Sequence, residues 1–117
     1  MRNLTRGTTL ADRAWAARSF GARLRGLIGT DGLLPGQGLL IEPCNSVHMF
    51  GMRYPLDLVF ADAEGVVCGV VEAIRPWRMT RPYRGARYVI ELPVGVVEAS
   101  GTRVGDALDV CTVEDRP

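Results

Sequence analysis

The chain contains no lysine: all 14 of its basic residues are arginine, set against 13 acidic residues for a formal charge of +1. That absence excludes Schiff-base chemistry and the lysine of a phosphate-binding P-loop. The basic surface is left to planar guanidinium forks, which suit fixed ion pairs. Histidine occurs once, and aromatic residues make up only 7% of the chain. No apolar run approaches the roughly 20 residues of a membrane-spanning helix. The opening segment MRNLTRGTTLADRAWAAR has no apolar core of a secretory signal, so a cytoplasmic location is expected and no membrane partner. The cysteines, Cys44, Cys68 and Cys111, are odd in number and far apart, which argues against a disulfide framework. They form no closely spaced pair of the kind that knuckles zinc, so no metal is expected. A Gly-rich phosphate loop, a nucleophile elbow and a metalloprotease helix motif are also missing, and no cofactor is expected. The near-zero net charge makes nucleic acid an unexpected partner.

What is present fits one globular domain, residues 1–117, with 47% hydrophobic and 23% charged residues. Charge is banded: residues 75–87 carry five Arg and no acid, whereas residues 29–74 carry one Arg and six acids. Bands of opposite sign are expected to neutralise each other across a small fold.

Residues 8–28 read as helical in part, and the stronger helix is Ser19–Ile28, with Phe20, Leu24, Leu27 and Ile28 at helical spacing. Ser19 is its expected N-cap and Gly29 its expected terminator. Beyond the turn at Leu34-Pro35-Gly36, strand patterns dominate: Leu39–Glu42, Ser46–Met52, Leu56–Phe60, Val66–Val71, Arg87–Leu92 and Ala107–Val113. Leu56–Phe60 and Val66–Val71 flank a short polar loop and should pair as an antiparallel hairpin. Val66–Val71 is apolar on both faces and is expected to be central. Pro93 to Gly101 fits a short helix. The expected architecture is α+β and mainly β: a twisted, partly closed, barrel-like antiparallel sheet with one longer and one short helix.

Three constellations carry possible chemistry. In extended backbone Cys44, Ser46 and His48 share one face. A thiol beside an imidazole, oriented by Asn45 or Asp57, would serve a small Cys/His hydrolase or a redox-sensitive thiol protein with Cys44, His48 and Asp57 as its catalytic groups. Alternatively the segment is a strand whose Cys simply packs. Asp57 and Glu91 are single carboxylates inside apolar strands, where an unpaired charge is costly; Arg is the obvious partner, with backbone N–H groups the alternative. Arg75, Arg78, Arg81, Arg84 and Arg87 recur every third residue with Trp77 and Tyr83 between them, a spacing that would align them on a polyproline ridge. Such a ridge either binds an anionic partner or is a salt-bridged loop.

The segments Arg25-Gly26-Leu27-Ile28, Gly38-Leu39-Leu40-Ile41, Ser46–Met52, Pro55-Leu56-Asp57, Val59-Phe60, Tyr88–Pro93 and Gly105-Asp106 resemble, in that order, the motifs of the domain-of-unknown-function family 192. The resemblance implies a small single domain and transfers no activity or cofactor. It implies that Asp57 and Glu91 are site or keystone residues. It also implies an aromatic where His48 stands, which disfavours His48 as a general base. The leading reading is a non-enzymatic binding or accessory module. Its polar cleft, formed by Ser46, His48, Asp57 and Glu91 and bordered by Arg78 and Arg81, would hold a small anionic ligand or a peptide.

Overall fold

The computed structural model describes residues 1–110 and 113–115. In chain order the strands are β1 (Arg2–Asn3), β2 (Thr8–Thr9), β3 (Arg13–Ala17), β4 (Gln37–Ile41), β5 (Leu56–Ala61), β6 (Val67–Ile74), β7 (Tyr88–Leu92), β8 (Leu108–Asp109) and β9 (Glu114–Asp115). The helices are α1 (Phe20–Arg25) and α2 (Val96–Ser100). Six strands form one sheet in the order β6-β5-β7-β4-β3-β9, and β2-β1-β8 form a second. The fold is α+β and mostly strand, as expected. The large sheet is twisted and open, ending at β6 and β9, and does not close into a barrel.

β5 and β7 are adjacent inner strands, and every residue of both is buried. Alternation sorts their side chains onto two faces. Val59, Ala61, Ile90 and Leu92 join a cluster with Leu10, Leu40 and Val97. Leu56, Leu58, Phe60 and Val89 join the opposite one with Leu39, Ile41, Val47 and Met49. The expected β5–β6 hairpin is present, antiparallel with register shifts. Its second strand is not central, however: β6 is the sheet edge, and Glu72 and Ala73 are exposed. An apolar run marks burial by whatever covers it, here the Tyr83 ring stacked on Phe60, and does not require a strand on each side.

Residues 13–17, expected within a helical stretch, form β3, which pairs in parallel with β4 from Arg13↔Gln37 to Ala17↔Ile41. Pairing overrides the helical spacing of Ala14 and Trp15 because it buries Ala16 and Ala17 in the two core faces. The helix that follows is shorter than Ser19–Ile28. Ser19 caps it as expected, its hydroxyl accepting from the Ala22 N–H at 3.1 Å. Gly26, at φ 49°, ends it in place of Gly29. Residues 46–52 do not form a strand and make one isolated bridge, His48↔Met79. The C-terminal strand shrinks to Leu108–Asp109, and Cys111 lies outside the described residues. No described helix is long and apolar enough to cross a membrane.

Candidate functional site

After β4 the chain passes a cis Glu42–Pro43 peptide and runs alongside the arginine-rich segment. Backbone bonds lace the two together: Cys44 N–H to Arg87 O at 3.0 Å, Tyr83 N–H to Asn45 O at 2.8 Å, Thr80 N–H to Val47 O at 2.8 Å, and Met49 N–H to Arg78 O at 2.7 Å. The resulting irregular ribbon keeps strand-like alternation. Val47 and Met49 are buried in the core, whereas Ser46 and His48 face outward.

Between this ribbon and α1 lies a cleft of about 210 Å³. Cys44, Ser46, His48 and Glu91 all line it, so four of the residues singled out in the sequence converge on one site. Glu91 comes from the central strand β7 and forms part of the floor, 5% exposed. Gly26 bends the chain at its edge: a Cβ there would lie 3.8 Å from Glu91 Oε1, and the positive φ would strain any other residue.

Asp57 is not in this cleft. It accepts the Ala73 N–H at 2.8 Å, the Gly95 N–H at 3.0 Å and the Val97 N–H at 3.1 Å. Its role is to tie the strained end of β6, where Ala73 has φ 52°, to the first turn of α2. Among the described residues, backbone donors and not Arg satisfy it. Arg78 and Arg81 also lie outside the cleft, on the far chain of the ribbon, where the Arg81 guanidinium sits 4.4 Å from the centre of the Tyr83 ring.

Sequence reasoning missed the opposite wall. Phe20 and Leu24, two of the apolar residues at helical spacing, are 74% and 64% exposed and line the cleft with Ile28. The signal was present in the apolar spacing of Phe20, Leu24 and Ile28, but the helix that carries Phe20 and Leu24 ends at Gly26, too short to dock by itself, and Ile28 follows in the turn beyond it. Arg23 was missed as well. It lines the cleft, its Nη1 donates a long bond to Pro43 O at 3.4 Å, and its buried Nε has no acceptor among the described residues.

The electrostatics oppose a nucleophilic thiol. Burial pushes the Cys44 thiol above the ordinary thiol range, and the Glu91 charge pushes the same way. The bond to the Ser46 carbonyl, donated at 3.0 Å, and the Arg23 charge lower it without restoring it. A catalytic cysteine needs the reverse, a stabilised thiolate. His48 Nδ1 accepts the Phe50 N–H at 3.4 Å, and the imidazole stacks on the Phe50 ring at 5.1 Å. Among the described residues no cluster of His, Cys, Asp and Glu has the arrangement of a metal site.

A small open sheet carrying an apolar-walled cleft with a buried carboxylate defines a compact α+β domain. The model of the DUF192 family, described as an uncharacterized ACR, matches residues 2–110, and the chain belongs to that family. It is similar to the UPF0127 protein of Thermococcus sibiricus, 36% identical over 121 residues that cover 97% of this chain and 76% of the relative. A UPF0127 protein of Pyrococcus abyssi is 36% identical over 101 residues, covering 81% and 79%. Among solved structures, a protein of unknown function from Novosphingobium aromaticivorans superposes with a TM-score of 0.75 at 19% identity, covering 83% of this chain and 74% of that one. That likeness concerns the fold.

Proposed function

We propose that this protein is a non-catalytic binding module whose cleft takes an apolar side chain and the adjoining backbone of a peptide-like ligand. The observation that carries the reading is the pairing, in one cleft, of an under-satisfied guanidinium at Arg23 with the Glu91 carboxylate, between walls of exposed Phe20, Leu24 and Ile28. A peptide unit presents both an acceptor for Arg23 and a donor for a carboxylate. A purely anionic ligand would meet Arg23 but would be repelled by Glu91, so between an anion and a peptide the charges favour the peptide. Size supports the same choice. At about 210 Å³ the cleft falls below the roughly 300–1,000 Å³ of drug-sized and cofactor sites and suits one or two side chains. Exposed large apolar groups beside a concave polar floor are the usual mark of a binding surface.

The test is amide chemical-shift mapping with acetylated, amidated dipeptides of leucine or phenylalanine, alongside acetate and phosphate. Shifts at Arg23–Ile28 and Cys44–His48 with the peptides, abolished by Leu24→Asp, are expected. Shifts at those residues with the simple anions alone, or no shifts there with any probe, would overturn the reading.

A further inference from the structure

The cleft does not end at His48. The imidazole stacks on Phe50 and Phe50 stacks on Trp77, with ring centroids 5.1 and 6.0 Å apart and planes within 29° and 28°. Trp77 and Met79 are 68% and 67% exposed, and Met79 bridges His48 across the ribbon. Trp77 is held at φ 68°, a left-handed conformation that a bulky residue adopts only under constraint. Its N–H is fixed on Met49 O at 2.9 Å. A strained backbone that presents an indole to solvent is a feature found at binding sites more than in inert loops.

Charge supplies the second, independent observation. The acidic band was expected to neutralise the arginines of residues 75–87, and among the described residues it does so only at Arg87, which meets Glu42 at 3.5 Å. Among the described residues Arg75, Arg78, Arg81 and Arg84 pair with no carboxylate. Four guanidinium groups without a carboxylate partner therefore belong to the same ribbon chain as Trp77, whose indole continues the aromatic stack that starts at the cleft.

We infer that the ribbon is the second half of the docking surface, and that its occupant is an acidic polypeptide segment of a partner protein, continuous with the residue held in the cleft. The inference rests on the peptide reading of the cleft. Complementary charge favours an anionic partner, and unpaired Arg beside exposed aromatics are the residue types that anchor such interfaces. A nucleic-acid strand would share the attraction to Arg and the stack. Its phosphates would meet Glu91 where the surface turns into the cleft, and the chain as a whole carries a charge of only +1.

A random-peptide library displayed on phage is selected against the wild-type protein, an Arg78→Glu/Arg81→Glu variant and a Leu24→Asp variant, each first shown to melt within a few degrees of wild type. Wild-type selection is expected to enrich an apolar residue flanked by Asp and Glu. The double Arg variant should lose the acidic flank while keeping the apolar residue, and a selected peptide should bind it at least tenfold more weakly. Leu24→Asp should lose enrichment altogether. Enrichment of the apolar residue without acidic flanks, or with flanks unaffected by the Arg variant, would overturn the inference and leave the cleft reading standing. No enrichment by the wild type would overturn both. Saturable binding of a 15-nucleotide oligothymidine at physiological salt, lost in the Arg variant and not displaced by selected peptides, would replace the acidic segment with nucleic acid.

Discussion

Asp57 and Glu91 stand on neighbouring strands one register step apart, yet they project to opposite faces of the sheet. Asp57 pairs with Leu92 and Glu91 pairs with Leu58, and cross-strand partners share a face. Leu92 belongs to the core cluster over α2, and Leu58 to the cluster under the candidate cleft. Two carboxylates that look equivalent in the sequence are thus assigned to different tasks. Asp57 fixes backbone, and Glu91 places a carboxylate in the cleft that also holds Arg23.

Asp57→Ala should destabilise the fold by about 2–4 kcal/mol, because three backbone N–H groups lose a charged acceptor and that of Val97 stays buried. His48→Ala should cost under about 1.5 kcal/mol, since His48 is exposed and gives up little packing. Urea denaturation of both variants checks the contrast. Equal losses would place His48 in the core and remove it from the cleft.

Acid should weaken the fold through Asp106. Burial opposes its ionisation, but Arg6, Asn3 and the Arg103 N–H all donate to the carboxylate and bring its pKa from 3.8 down to about 2. A carboxylate with a lower pKa folded than unfolded adds stability above the unfolded value and loses it as pH falls through the folded one. The melting temperature should therefore drop between about pH 4 and pH 2. Asp106→Asn should flatten that part of the profile, and an unchanged slope in this variant would remove Asp106 as the cause.

At neutral pH Cys44 should react with a maleimide or an aromatic disulfide more slowly than free cysteine, because burial and Glu91 hold it as the thiol. Its rate should rise only above the ordinary thiol range. Stopped-flow labelling of a Cys68→Ser, Cys111→Ser protein measures it, and a rate faster than free cysteine at neutral pH would revive a thiol enzyme.

The ribbon that carries Arg78 and Arg81 is seated by the Tyr83 ring, which lies directly over Gly69 on β6 and stacks on Phe60 at 4.4 Å. A Cβ at Gly69 would overlap that ring. Gly69→Ala should cost about 1–3 kcal/mol as an overpacking change and shift the amide resonances of residues 78–84. Gly32→Ala, which meets open space, should stay within about 0.5 kcal/mol. Thermal denaturation separates the two.

Much of the candidate site was legible because period-2 alternation survives even where ladder pairing does not. That Ser46 and His48 share one face and Val47 and Met49 the other follows from the pattern alone, and the structure turns the second face inward. The stripe of Phe20, Leu24 and Ile28 was equally visible, but its part in a cleft was not, since periodicity says which residues share a face and nothing about what that face meets. Arg23 carried no local mark at all. It sits among other arginines and becomes distinct only when folding removes its Nε from solvent without an acceptor.

The sequence by itself determined the α+β class, the β5–β6 hairpin, the Ser19 cap, the burial of Asp57 and Glu91 and the family motifs, because turn chemistry, capping and alternation are local properties of the chain. Only the tertiary structure decided that residues 13–17 pair as a strand and that β6 is an edge. It also decided that Asp57 accepts backbone N–H groups away from the cleft, and that among the described residues four arginines of the 75–87 segment meet no carboxylate. Each of those outcomes depends on which distant segment arrives alongside. Sheet order, the choice of face and ion pairing are long-range contacts, and residue spacing carries no information about which partner will be there.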